Sequence, residues 1–245
     1  MPTPSTQEAL QKQLDLVVEA GIPGISAAIG SRGRVIWRGQ AGSSDVTSNV
    51  DVSPKHLFGI GSITKVFASV VALQLHEEKL LSLSAKLGQY LDKAILENTP
   101  NAGTATTASL LCHTSGITSW GDPVWIRVGR GEDIDPLRSW GKSDTQDNIQ
   151  HPSVLDSRKP GKFAYSNTNF TLLGLVIQVI TCSTAESEIG RWIVTPLKLT
   201  STFLEGLKTF LRRELQAGIT RITQYFAGMW EFLSTSRKSR RGWQI

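Results

Sequence analysis

Ser62 and Lys65, in the run Gly61-Ser62-Ile63-Thr64-Lys65, have the types and spacing of groups that react together. An apolar stretch follows and continues to Leu75, which predicts a helix from about Ser62 to Lys79. Three-residue spacing puts the hydroxyl and the amine on one helical face. A serine beside a lysine at a helix head is one way to make an activated nucleophile. A neutral lysine takes the hydroxyl proton, and the unpaired N–H groups of the first turn favour negative charge on oxygen. Burial under an apolar helix makes a lysine easier to deprotonate. The plainer alternative is a serine that caps the helix and a lysine in solvent. A second Ser-x-x-Lys, Ser139 to Lys142, lies in a loop-rich stretch with no apolar run behind it and lacks this context.

Tyr165 and Asn167, in Pro160-Gly161-Lys162-Phe163-Ala164-Tyr165-Ser166-Asn167, put a phenol and an amide between a turn and an apolar helix. A tyrosine near a lysine cation has its phenolate favoured and can relay a proton to or from a serine. The asparagine can orient Lys65 or hydrogen-bond a substrate amide. Alternatively, Tyr165 packs and Asn167 caps the next helix. His113, in Leu111-Cys112-His113-Thr114-Ser115-Gly116-Ile117, reads as a structural hydrogen-bonder in a tight loop. The four histidines (His56, His76, His113, His151) show no metal-ligand spacing. Cys112 and Cys182 form no Cys-x-x-Cys and are expected reduced and buried. No metal or cofactor is expected.

The elements that must position these residues follow in chain order. Ser5 and Glu8 form a capping box for a first helix carrying Leu10, Leu14, Val17 and Val18, ended by Gly21 and Pro23. Ile22–Ile29 and Arg34–Arg38 read as strands of a hairpin across Gly30–Gly33, with Gly39–His56 as loop. The helix after Ser62 is apolar around most of its circumference, which predicts a helix enclosed on all sides. Short helices at Leu87–Leu96 and Thr107–Leu111 precede a long Gly-, Asp- and Pro-rich loop over 121–160. Two helices follow, Phe170–Ile180 and about Thr184–Val194.

Composition excludes little but is informative about charge. The net charge is +5. Residues 211–245 carry seven Lys or Arg against two acids, which accounts for all of it, so the rest of the chain is neutral. Such a tail can touch nucleic acid or anionic lipid, but a solvated end is the commoner case, and nucleic acid is not expected as a partner. No run approaches the roughly 18–20 apolar residues that span a bilayer, and no signal peptide is legible, so the expected location is cytoplasmic.

The motifs occur in a fixed order: Pro23-Gly24-Ile25, Gly61-Ser62-x-Thr64-Lys65, Leu110-x-x-His113-Thr-Ser-Gly-Ile117, Pro160-Gly161-x-x-x-Tyr165-Ser166-Asn167 and Pro196-Leu-x-Leu-Thr-Ser-Thr202. Together they resemble the class C β-lactamase type of serine hydrolase: β-lactamases, D-alanyl-D-alanine carboxypeptidases, D-aminopeptidases and related esterases. The resemblance covers about residues 8–206. It implies an α+β fold, an antiparallel sheet flanked by helices, with a mostly helical region inserted over about 80–195. It also implies Ser62 as acylated nucleophile, Lys65 as its base, Tyr165 as proton relay and Asn167 as a substrate-binding residue. The expected activity is hydrolysis of a small ester or amide (a β-lactam, a D-amino-acid peptide or a carboxylic ester) through an acyl-serine.

The chain also departs from that family. Members carry a late Lys-Thr-Gly or His-x-Gly strand, and no such sequence follows Asn167. Residues 207–245 lack the alternation of strands, so a divergent basic tail and missing C-terminal strands are expected. Lys79 and Lys198 stand where glycine is usual, and Ser84-Ala85 replaces an acidic pair. The alternative function is therefore an inactive remnant or a binding protein of the same family.

Overall fold

The computed structural model describes residues 2–45, 50–97, 99–119 and 159–202. They fall into two compact units, one within residues 1–59 and one within 60–207. The long loop expected over 121–160 lies, up to residue 158, outside the described residues, as does the tail from 207 onward.

The first unit begins with α1 (Pro4–Glu19). Its cap is Thr3, two residues before the expected Ser5. The Thr3 side chain accepts the Thr6 N–H, and Pro4 fills the first turn, where a missing N–H costs nothing. Leu14 is the buried residue of this helix, which packs on the hairpin of β1 (Gly24–Ser31) and β2 (Arg34–Asp45). The hairpin turns at Arg32 and Gly33, both left-handed, as a two-residue turn between twisted strands requires.

Strand β2 does not stop at Arg38, as expected, but runs on to Asp45, pairing with β1 up to Gly24↔Gly42, and β3 (Val50–Asp51) adds a short third strand. The glycines that suggested a loop serve close approach instead. A Cβ on Gly39 would sit 2.4 Å from the Trp37 ring and 2.9 Å from Leu14. A Cβ on Gly42 would lie 2.3 Å from the Pro23 carbonyl.

The described residues of the second unit are helical. A 3-10 turn, Gly61–Ile63, leads into α2 (Thr64–Glu77). There follow α3 (Lys93–Glu97), α4 (Thr107–Leu111), α5 (Asn167–Thr181) and α6 (Ala185–Ile189), the last continuing into a π turn, Gly190–Val194. Thr106 and Ser109 form a reciprocal capping box on α4. Val71, Leu75, Leu81, Leu87, Leu110, Ile117 and the α5 side chains Leu172, Leu173, Val176 and Ile177 make one core, each at most 2% exposed.

Helix α2 is not enclosed on all sides. It buries Val71, Ala72 and Leu75 against α5, α6 and the π turn, while Val66 is 60% and Leu73 44% exposed. Apolar residues around a helix permit burial, but only the face that meets a neighbour obtains it. Both cysteines are free and exposed rather than buried. Cys112 lies just past α4, and Cys182 takes a left-handed conformation at the end of α5. Lys79 and Lys198 are also left-handed (φ 63° and 51°), which accounts for the glycine usual at both places. Among the described residues no single helix is long and apolar enough to cross a membrane.

Candidate active site

The site lies where α2 and α5 begin. The chain enters the 3-10 turn through Gly61 at φ 50°, a conformation that needs glycine. That turn sets Ser62 one step ahead of α2 and leaves Lys65 in the first helical turn. Ser62 makes no capping hydrogen bond to either element. Its hydroxyl is free for other partners, which disposes of the plain capping alternative.

Lys65 is no solvated surface cation. Its half-buried Nζ donates to Ser62 Oγ at 3.1 Å and to Asn167 Oδ1 at 2.9 Å. Asn167 opens α5 with its backbone N–H on Ser119 Oγ (3.1 Å), so its side chain holds the lysine instead of capping the helix. Tyr165 Oη donates to Ser62 Oγ at 2.7 Å, and Lys65 Nζ lies 5.0 Å from the centre of the tyrosine ring. The four residues singled out by sequence thus form one cluster, although 102 residues separate Lys65 from Asn167.

Its electrostatics follow from that geometry. Burial alone would raise the Tyr165 pKa. Hydrogen bonds with Lys65 and Ser62, together with the positive charge of Lys65, outweigh burial and lower it below the ordinary tyrosine value. In the neutral state the phenol donates to Ser62, and in the ionised state the phenolate accepts. Ser62 is exposed and Tyr165 is 41% exposed, so the Ser62 hydroxyl is reachable from solvent.

His113 stands behind Tyr165. It is left-handed (φ 54°), and its carbonyl accepts the Ala164 N–H at 2.8 Å, while the Thr114 carbonyl accepts Gly161 N–H at 2.8 Å. The Ser166 N–H donates to His113 Nδ1 at 3.2 Å. The loop that carries Tyr165 is therefore zipped to the loop that carries His113, the structural role read from sequence. Burial lowers the His113 pKa, and the charge of Lys65 lowers it further. Three supports escaped the sequence reading: Ser119, Ser115 and Asn169. Ser115 sits inside the quoted His-Thr-Ser-Gly motif and Asn169 two residues after Asn167, so position beside the motifs was the only signal.

A sequence profile of the Beta-lactamase family matches residues 7–213. Protein flp of Staphylococcus aureus is 31% identical over 201 residues, 78% of this chain and 38% of that protein. Among solved structures, a D-stereospecific amidohydrolase from Streptomyces sp. superposes with a TM-score of 0.66 at 29% identity, covering 79% of this chain and 55% of the other. An octameric penicillin-binding protein homologue from Pyrococcus abyssi gives 0.63 at 29% identity, with 79% and 43% covered. The chain thus spans well under two thirds of the length of each of these relatives. By its ordered motifs, its fold and the profile across most of its length, the chain belongs to the beta-lactamase family.

Proposed function

We propose that this chain carries the acyl-transfer centre of a serine hydrolase for small amides or esters, with Ser62 as the acylated nucleophile. One observation carries the reading: Ser62 Oγ, uncommitted to any cap, lies within hydrogen-bond reach of both Lys65 Nζ and Tyr165 Oη. Lys65 and Tyr165 act as one base. When one proton is missing between them, the Ser62 hydroxyl proton fills that vacancy as Oγ attacks the substrate carbonyl. Collapse of the tetrahedral adduct breaks the bond to the amine or alcohol, and Tyr165 passes the leaving group its proton. Water enters by the reverse route, giving its proton to the same pair, and releases the acid and free Ser62. Asn167 Oδ1 accepts a second hydrogen bond from Lys65 and keeps its Nζ in place.

The likeness to a D-stereospecific amidohydrolase and to penicillin-binding proteins makes D-amino-acid amides and penicillins the first probes. Exposing the full chain to a fluorescent penicillin and to a fluorophosphonate tests the reading. Covalent label on Ser62, absent in Ser62→Ala, supports it; equal labelling of Ser62→Ala refutes it.

A second reading is favoured by the lack of any Lys-Thr-Gly or His-x-Gly sequence after Asn167. The family draws an oxyanion donor from that strand, and losing one donor typically removes about 10²–10³ in rate. A centre without that donor would bind such compounds and turn them over slowly or not at all. Label that forms on Ser62 but is never released, with no turnover of nitrocefin or p-nitrophenyl esters, would mark a binding protein.

A further inference from the structure

We infer that His113 is a positioning residue for Tyr165, holding the phenol on Ser62 through its ring and its Nδ1 lone pair together. The inference rests on the acyl-serine reading above and adds to it a part that touches neither substrate nor nucleophile.

The hydrogen-bond chain fixes the state of the ring. Ser115 Oγ donates to Asn169 Oδ1 at 2.7 Å, which turns the Asn169 amide nitrogen toward His113 Nδ1, 3.2 Å away. The Ser166 backbone N–H, which can only donate, points at the same nitrogen. Two donors converge on Nδ1, so the ring is neutral with its proton on Nε2. Ser115 is itself pinned by the Ile117 N–H at 3.1 Å. All of these groups are buried: His113 is 9% exposed, Ser115 2%, Ser166 and Asn169 0%. A buried acceptor serving two buried donors is costly to lose, so the network has one arrangement.

The ring face does the rest. It lies 4.5 Å from the Tyr165 ring at a 33° tilt, between Phe163 edge-on at 6.0 Å and Phe170 at 5.3 Å. Tyr165 is 41% exposed, so without that surface behind it the ring could rotate off Ser62 into solvent. His113 grips the residues on both sides of Tyr165, through Ala164 N–H and Ser166 N–H, and backs the ring between them. Among the described residues, the charged or titratable groups that face the imidazole are Lys65 from α2 and Tyr165 from the loop; its neighbours from α5, Asn169 and Phe170, carry no charge. Protonation of Nδ1 would turn the acceptor into a third donor and open the grip.

The test uses the full chain and three variants. His113→Asn keeps an acceptor oxygen near the Nδ1 position and tolerates positive φ, but removes the ring. His113→Ala removes both. The rate of fluorescent-penicillin labelling of Ser62 is expected to fall on the order of ten-fold in His113→Asn and 10²-fold in His113→Ala, a partial rescue by the acceptor. In a Tyr165→Phe background the same His113→Asn change is expected to cost less than about two-fold, because a residue that acts through Tyr165 has nothing left to act on. Undiminished labelling in His113→Asn, or an equal loss with and without the phenol, overturns the inference. Wild type that fails to label at all refutes the acyl-serine reading. In that event the near-ultraviolet titration of Tyr165, isolated by difference from Tyr165→Phe, still decides on His113. His113→Asn should move the midpoint up toward the ordinary value near 10, and an unmoved midpoint counts against it.

Discussion

Helices α2 and α5 both bring their first turns to the site and both look alike as sequence, long apolar runs behind a polar head. They are used differently. Helix α5 buries Leu172, Leu173, Val176 and Ile177 completely and is held at its head by Ser119 and Thr118. Helix α2 buries one face and leaves Val66, Val70 and Leu73 exposed. The proposed nucleophile stands just ahead of the more exposed helix, and Asn167, which holds Lys65, opens the more buried one. A nucleophile needs solvent on one side for substrate, whereas the groups that orient it need rotamers locked by packing.

The sharpest way to break that contrast is at the two heads. Ser62→Ala, ahead of α2, is expected to abolish covalent labelling and turnover while leaving the thermal melt within a degree or so, since an exposed serine that caps no helix contributes little to stability. A melt that collapses with the activity would make Ser62 structural. Next in size come the helix bodies. Leu173→Ala on α5 is expected to cost about 2–5 kcal/mol in urea unfolding, the usual range for a closed core. Leu73→Ala on α2, 44% exposed, is expected within about 0.5 kcal/mol. Equal losses at the two leucines would mean that α2 is covered after all.

Asn167→Ala gives a smaller effect. Its Oδ1 is the partner that holds Lys65 beside Ser62, so the labelling rate is expected to fall by about 10²-fold while binding of a reversible ligand changes little. A loss confined to binding would instead give Asn167 the substrate-contact role that the family resemblance implies.

How much of this could be read from the sequence follows the same contrast. Ser62, Lys65, Tyr165 and Asn167 were legible because each stands in a short motif at a turn-to-helix boundary, where residue type and spacing fix direction. The exposed face of α2 was not, because Val66 and Leu73 have the composition of core residues and only neighbours decide their burial. The extension of β2 to Asp45 was hidden by Gly39 and Gly42, which read as loop when they make room for Trp37, Leu14 and Pro23. The cap at Thr3 is hidden by Ser5, whose pairing with Glu8 fits a capping box, while Pro4 at the first helical position marks the true start. Ser115, Ser119 and Asn169 were invisible as a network, since their partners lie 48 to 56 residues away in the chain.

The smallest expected effect tests the bracing of α5 by pH. The His113 pKa is lowered in the folded protein, by burial first and then by the charge of Lys65. In the unfolded chain it titrates near 6.5. Above that pH both states hold the ring neutral, and the Nδ1 network contributes its stability in full. As pH falls through about 6.5 the unfolded chain takes up a proton that the folded protein refuses, so the unfolded state binds more protons and stability falls. The loss continues until the lowered folded value is passed and then levels off. Other carboxylates and histidines also titrate in this window, so the measurement is a difference: unfolding free energy of wild type minus that of His113→Asn, followed from pH 8 downward. The difference should be flat above neutrality and shrink below about pH 6.5. A difference that widens as pH falls would mean that the imidazolium is the bound form. The two donors on Nδ1 would then have to be reassigned, and with them the part His113 plays in bracing α5 through Asn169.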